Sequence, residues 1–162
     1  MISVIVPCFN EEETIHYFYQ AMEKVRIKMN EEFEYIFVND GSKDSTLSIL
    51  RSLSVQDRSV RYLSFSRNFG KEAALFAGLE AANGHLVTVM DADLQDPSEM
   101  LMEMKQMLDD DSDLDCVGTR RVSRDGEPLI RSFFATLFYK LMNKISQVEV
   151  VDGARDFRLM RR

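Results

Sequence analysis

Four short loops in this chain carry side chains able to hold a phosphorylated ligand, and the most telling is Asp91-Ala92-Asp93. The apolar run Leu86-Val87-Thr88-Val89-Met90 stops at two carboxylates one residue apart. A buried strand ending this way presents both groups at the carboxyl edge of a sheet, where open α/β folds bind ligands. Hard cations prefer oxygen ligands of this kind. The pair therefore reads as a divalent-metal and phosphate site, with Gln95 close enough to add an oxygen or a donor. The plainer reading is a strand end whose aspartates cap the helix beginning near Pro97, and spacing alone does not choose between them.

The other loops are weaker one by one. In Pro7-Cys8-Phe9-Asn10-Glu11, Pro7 fixes the backbone while Asn10 and Glu11 offer polar groups just before a helix, which is also what helix capping needs. In Asn39-Asp40-Gly41-Ser42-Lys43-Asp44-Ser45-Thr46, Gly41 permits a tight turn and Asp44 or Ser45 can cap the next helix. That leaves Asp40 free to accept hydrogen bonds from a ligand. In Ser66-Arg67-Asn68-Phe69-Gly70-Lys71-Glu72, Arg67 and Lys71 lie near a helix start and can meet an anion. The glycine patterns of dinucleotide-binding and P-loop proteins are absent, which argues against those enzyme classes.

The elements that must carry these loops are legible from periodicity. Strands are predicted near 2–6, 35–39, 60–65, 86–90 and 115–118, and helices near 11–29, 44–54, 71–83 and 98–108. Strict alternation implies a mostly parallel sheet covered on both faces. Ile15, Phe18, Met22, Val25 and Met29 form one stripe of an ordinary amphipathic helix, whereas Ala73, Ala74, Ala77 and Gly78 let another helix lie close to the sheet. The acidic run Asp109–Asp113 reads as a solvated turn. At 162 residues, 45% of them hydrophobic, the chain can bury a core as one domain. Neither a signal-peptide pattern nor an apolar run of membrane-spanning length is seen. Cys8 and Cys116 lie in apolar strand-like runs without metal spacing and read as buried free thiols, which fits a reducing, cytoplasmic setting. The net charge of -7 argues against nucleic acid as a partner.

Taken together, Pro7-x-x-Asn10-Glu11, Val38-Asn39-Asp40-Gly41-Ser42-x-Asp44-x-Thr46, Ser66-Arg67-Asn68-Phe69-Gly70-Lys71-Glu72, Asp91-Ala92-Asp93-Leu94-Gln95-Asp96-Pro97 and Asp156-Phe157-Arg158-Leu159 resemble the family 2 glycosyltransferases. The likeness is strongest to the polyprenyl-phosphate group that includes dolichyl-phosphate mannose synthase and bactoprenol glucosyltransferases. It implies a GT-A fold, α/β with a Rossmann-like mostly parallel sheet. A UDP- or GDP-sugar donor would be held through Pro7, Asn10, Glu11, Asp40, Asp91 and Arg120, with Mg²⁺ or Mn²⁺ on Asp91, Asp93 and Gln95. Asp156 matches the position of the catalytic base in similar inverting transferases. The ordinary alternative for Asp156 is an ion pair with Arg155 or Arg158.

The charge is unevenly spread. Acidic residues outnumber basic ones roughly two to one over 1–116, and the ratio reverses over 117–162. From Leu129 to Ile145 apolar residues recur at helical spacing, flanked by Arg124, Arg131, Lys140 and Lys144. Such a helix can lie in a membrane interface or pack against further parts of the protein. The resemblance makes Arg131, with Arg67 and Lys71, a candidate for an acceptor phosphate. Residues 1–162 are thus expected to form a single catalytic domain, C-terminally truncated, with 1–116 binding the nucleotide sugar and 117–162 beginning an acceptor- and membrane-facing part. The expected acceptor is a polyprenyl phosphate at the inner face of the cell membrane, where the full-length protein would be peripheral or anchored, and homo-oligomerisation is left open. A saccharide hydroxyl acceptor, or a donor-binding domain without turnover, are the rival readings.

Overall fold

The run Ile2-Ser3-Val4-Ile5-Val6 is too rich in β-branched residues to favour a helix and too apolar for an exposed strand, and it forms the buried middle of a sheet. The computed structural model describes residues 1–120 and 154–162. Its elements are β1 (Ile2–Cys8), α1 (Ile15–Met29), β2 (Phe33–Asn39), α2 (Thr46–Gln56), β3 (Val60–Ser64), α3 (Lys71–Ala81), β4 (Leu86–Val89), α4 (Met100–Asp110), β5 (Cys116–Arg120) and β6 (Ala154–Arg161). The strands are ordered β3-β2-β1-β4-β6-β5. β1 runs parallel to β2 and β4, and β2 parallel to β3, whereas β6 is antiparallel to β4. Two compact units divide the chain, Met1–Val117 with Asp156–Arg162 in one and Gly118–Arg155 in the other.

Alternation along the strands sorts the core into two clusters. Ile2, Val4, Val6 and Cys8 pack with Phe18, Met22 and Val25 of α1, Leu50 of α2 and Leu101 and Leu108 of α4. Ile5, Ile36, Val38, Val87 and Val89 face the other way, onto α3 through Ala74. α3 lies close because it is small there: a Cβ on Gly78 would stand 2.4 Å from Ile5 Cγ2. This contact holds α3 close over the middle of β1.

The predicted elements are all present, with shifted ends. α1 begins at Ile15 rather than near residue 11, because the Glu11 carbonyl accepts from Thr14 N–H and the Glu11 carboxylate from the Thr14 hydroxyl in a preceding turn. α2 begins at Thr46, where Asp44 Oδ1 accepts the first helical N–H. Asp109 and Asp110 belong to the last turn of α4 rather than to a loop. An acid there opposes the helix dipole, and the Lys105 ammonium, 2.6 Å from Asp109 Oδ2, offsets it. Cys8 is buried as expected; Cys116 is exposed, since Val117 and Thr119, not Cys116, point into the core side of β5.

At the amino edge of the sheet, Glu34 is a carboxylate whose side chain is only 9% exposed. It accepts from the Ser3 hydroxyl, from Asn83 and Gly84 N–H, from Asn83 Nδ2 and from Arg61 Nη1. Burial by itself would raise its pKa, but these donors outweigh it and hold the carboxyl below the ordinary value of 4.5. The contacts tie the α3–β4 turn to β1 and β2, so Glu34 secures the entry of β4. Because the folded pKa is depressed, this stabilisation is complete above the unfolded value and is lost as pH falls through the folded one. Glu34→Gln is therefore expected to lower unfolding free energy at neutral pH by about 1–3 kcal/mol. In denaturant titrations the gap to wild type should narrow as pH is taken well below 4.5; a gap unchanged over that range would show that the charge is not what matters.

Candidate active site

The loops converge where the strand order reverses. β2 and β3 continue from one side of β1 and β4 lies on the other, so the carboxyl ends of β1 and β4 form the switch point at which open α/β sheets bind ligands. The Met90 N–H donates to the Ile5 carbonyl at 3.0 Å, and beyond it the two strands part. Pro7, two residues past Ile5, points its nitrogen to the same side, where no β4 neighbour remains to need a donor. The parting opens a cavity of about 350 Å³.

The β1 loop lines this cavity with Pro7, Cys8, Phe9 and Glu11. Asn10, expected among the donor-binding residues, is not among those that line the cavity and is bonded to the second loop. Its backbone is left-handed (φ 57°), its Oδ1 accepts from Lys43 N–H at 2.9 Å and its own N–H donates to Ser42 Oγ at 3.0 Å. Glu11 N–H donates to Thr46 Oγ1, and Asp44 Oδ2 accepts from Glu12 N–H. The first two loops are thus laced into one ledge. Cys8 lies under the cavity with its thiol pKa pushed up, first by burial and then by the charges of Glu11, Asp91 and Asp44. It is held as an inert thiol.

Asp40 corrects a second expectation. It is not free: at 3% exposure, its Oδ1 accepts from Phe69 N–H at 2.7 Å and its Oδ2 from Gly70 N–H at 2.9 Å. Asp40 lines the cavity, so only its remaining lone pairs face a ligand. Gly41 beside it has φ +67°, and a Cβ there would lie 2.3 Å from the Arg67 carbonyl carbon. No other residue fits this contact without moving the third loop. Of the two cations predicted there, Arg67 lies over the Phe69 ring, 4.7 Å from its centroid, and does not line the cavity. Lys71 does.

Lys71 Nζ is 2.7 Å from Asp91 Oδ1, 2.9 Å from Asp91 Oδ2 and 2.7 Å from Asp156 Oδ2. The sheet explains the meeting. β4 and β6 pair antiparallel with Leu86 opposite Arg161 and Val89 opposite Arg158. Carried two residues further, this register sets Asp156 opposite Asp91. Asp91 continues the β4 face of Val87 and Val89, which is the face α3 covers. Burial works against the Lys71 charge, but hydrogen bonds to Asp156 and Asp91 outweigh it and raise its pKa. Asp156 therefore has Lys71 as an ion-pair partner, which the sequence did not suggest.

Asp93 also lines the cavity and is exposed, with Oδ1 accepting the Gln95 N–H at 3.2 Å across a turn in which Leu94 is left-handed (φ 56°). Neither Asp91 nor Asp93 caps α4, which starts at Met100. The capping alternative for this pair is thus not what the chain uses. Two exposed carboxylates beside open volume fit Mg²⁺ or Mn²⁺, which take one or two protein carboxylates and complete their shell with phosphate oxygens and water. Among the described residues no third His, Cys, Asp or Glu joins them in a closed metal cage. Gln95 meets the site through its backbone and is not among the cavity-lining residues. Arg120 is exposed at the end of β5 and belongs to the second unit. Arg131, with the helical pattern from Leu129 to Ile145, lies outside the described residues. Phe9, Asn68, Ala74 and Ala92, none of them expected as site residues, complete the cavity wall.

Comparison with known proteins agrees with this architecture. The chain is 44% identical over 161 residues to a prophage bactoprenol glucosyl transferase homolog of Escherichia coli (strain K12), covering 99% of this chain and 52% of the relative. It is 45% identical to a bactoprenol glucosyl transferase of Shigella phage SfV with the same coverage. The chain spans about half the length of these curated relatives. Among solved structures it resembles a mannosyltransferase from Pyrobaculum calidifontis in complex with GDP-Man and Mn²⁺, at TM-score 0.68 and 22% identity, covering 99% of this chain and 44% of the other. The fold is the GT-A fold. The profile of glycosyl transferase family 2 matches residues 3–162, and since that span takes in every loop of the cavity together with Asp156, the chain belongs to this family.

Proposed function

We propose that this chain carries the donor-binding and catalytic groups of an inverting, metal-dependent glycosyltransferase that moves a sugar from a nucleotide sugar to a polyprenyl phosphate. The observation that carries the reading is that Asp91 and Asp93, just past β4, line one cavity at the switch point, and that Lys71 joins Asp91 to Asp156 of an antiparallel strand far along the chain. Pro7, Glu11 and the remaining lone pairs of Asp40 bound the part of the cavity suited to a nucleoside. Asp91 and Asp93 would hold Mg²⁺ or Mn²⁺ against the diphosphate, with Gln95 as a further oxygen. When bound, such an ion stabilises the charge that builds on the leaving diphosphate without requiring a proton. Arg120 and Arg131 are the arginines suited to donor and acceptor phosphates.

In the transfer an acceptor oxygen forms a bond to the anomeric carbon as the bond from that carbon to the diphosphate breaks, and configuration inverts. A sugar hydroxyl must lose its proton in this step, and Asp156 is the carboxylate in position to take it. A phosphate monoester arrives largely ionised, its second pKa being about 6; Asp156 then orients it and takes the residual proton. The bactoprenol named for both relatives favours the polyprenyl phosphate over a saccharide hydroxyl. Among the described residues no helix is long and apolar enough to cross a membrane. In this reading the protein meets its lipid at the cytoplasmic membrane face.

Asp93→Ala is expected to keep the ligand-free melting temperature and to lose the shift that Mn²⁺ with a UDP- or GDP-sugar gives the wild type. That shift reflects about 2.7 kcal/mol at a ligand concentration a hundredfold above Kd. No shift of the wild type with any sugar of either nucleotide would overturn the donor assignment. In the full-length protein, Asp156→Asn should retain donor binding and reduce transfer to a membrane lipid extract by about 10²-fold or more. Near-native turnover would remove the base assignment. Transfer to free oligosaccharide but not to lipid, from the same labelled donor, would replace the acceptor.

A further inference from the structure

The Lys71 ammonium occupies the groups that the proposed function assigns to a divalent cation. Its Nζ lies within 2.9 Å of both oxygens of Asp91 and 2.7 Å from Asp156. The side chain reaches this position from the first residue of a helix that is pinned to the sheet by the Gly78–Ile5 contact. α3 therefore cannot drift away, while the long stem leaves the ammonium itself free to swing. A second cation brought to Asp91 meets a positive charge already seated there. It must either share the carboxylate against that repulsion or displace the ammonium from Asp91.

A diphosphate changes the balance. It brings negative charge into the cavity that Lys71 lines, so an ammonium leaving Asp91 gains an anionic partner while keeping Asp156 within reach. We propose that Lys71 is a competitor built into the site, which makes divalent-cation binding at Asp91 and Asp93 conditional on a nucleotide diphosphate. The inference rests on reading those two carboxylates as the metal site and adds a positioning role for Lys71. Metal and nucleotide then bind with positive coupling, and by linkage each tightens the other by the same factor. Arg67, stacked on Phe69 outside the cavity wall, is not placed to do the same.

The test is direct binding of Mn²⁺, followed by the loss of the free-ion paramagnetic resonance signal, to the wild type and to Lys71→Met, Lys71→Gln, Lys71→Arg and Asp93→Ala. Each is measured alone and with saturating UDP or GDP, the folded state being checked by circular dichroism. Without nucleotide, Lys71→Met and Lys71→Gln are expected to bind Mn²⁺ at least about fivefold more tightly than wild type, the lower end of ordinary coupling between sites. Lys71→Arg, which keeps the charge, should not. The tightening produced by nucleotide should shrink in the two neutral variants by the factor they gain without it. If both neutral variants bind Mn²⁺ no better than wild type while Asp93→Ala loses it, the metal site stands and the competition is refuted. If Asp93→Ala binds Mn²⁺ as the wild type does, with and without nucleotide, the metal reading fails and takes this inference with it.

Discussion

The hydrogen bond from Met90 N–H to the Ile5 carbonyl is the last rung between β1 and β4, and the cavity follows from its being the last. Up to that point the central strands are apolar on both faces and clamped between helices. Beyond it, each chain has backbone groups that no neighbouring strand satisfies, and an unpaired buried amide or carbonyl is costly. The loops resolve this by turning outward and lacing to each other. The lacing is what turns four separate strand ends into one wall of fixed shape.

Two buried carboxylates illustrate how this is done at opposite edges of the sheet. Glu34 gathers donors from β1, β3 and the α3–β4 turn at the amino edge, and Asp40 gathers the Phe69 and Gly70 amides at the carboxyl edge. In both, an acid accepts from amides that would otherwise lack partners, so the cost of burying charge is offset by charge-assisted hydrogen bonds. The difference is location. Asp40 borders open volume, so one residue both sets the third loop and forms part of the cavity wall.

The sequence made the alternation of strands and helices, the two-sided core and the converging loops legible, because each rests on local periodicity or on turn residues at fixed offsets. Less legible was which polar side chains the protein keeps for itself. Asn10 and Asp40 have the look of ligand groups, yet their partners, Lys43, Phe69 and Gly70, lie about thirty residues away. Nothing local announces such pairing. The same holds for Lys71: its partner Asp156 is 85 residues distant, and their meeting depends on the register of β6 against β4. The apolar run around Cys116 suggests burial, but in a strand with one face outward, burial is decided by parity rather than by average hydrophobicity.

The antiparallel direction of β6 has a consequence of its own. In a parallel sheet every strand delivers its carboxyl end to the ligand edge, so all the groups there come from the residues that follow strands. β6 runs the other way and brings residues near its amino end, Asp156 among them, to the same edge. The chain immediately before Asp156 belongs to the second unit. Asp156 lies near the start of β6, two residues before the Arg158 that pairs with Val89, and is held by Lys71. Asp91 follows a strand that is paired on both sides, with β1 and with β6. The Lys71 ammonium therefore joins the residue that follows one strand to a residue near the start of a strand that runs against it, a pairing that only the reversed direction of β6 makes possible.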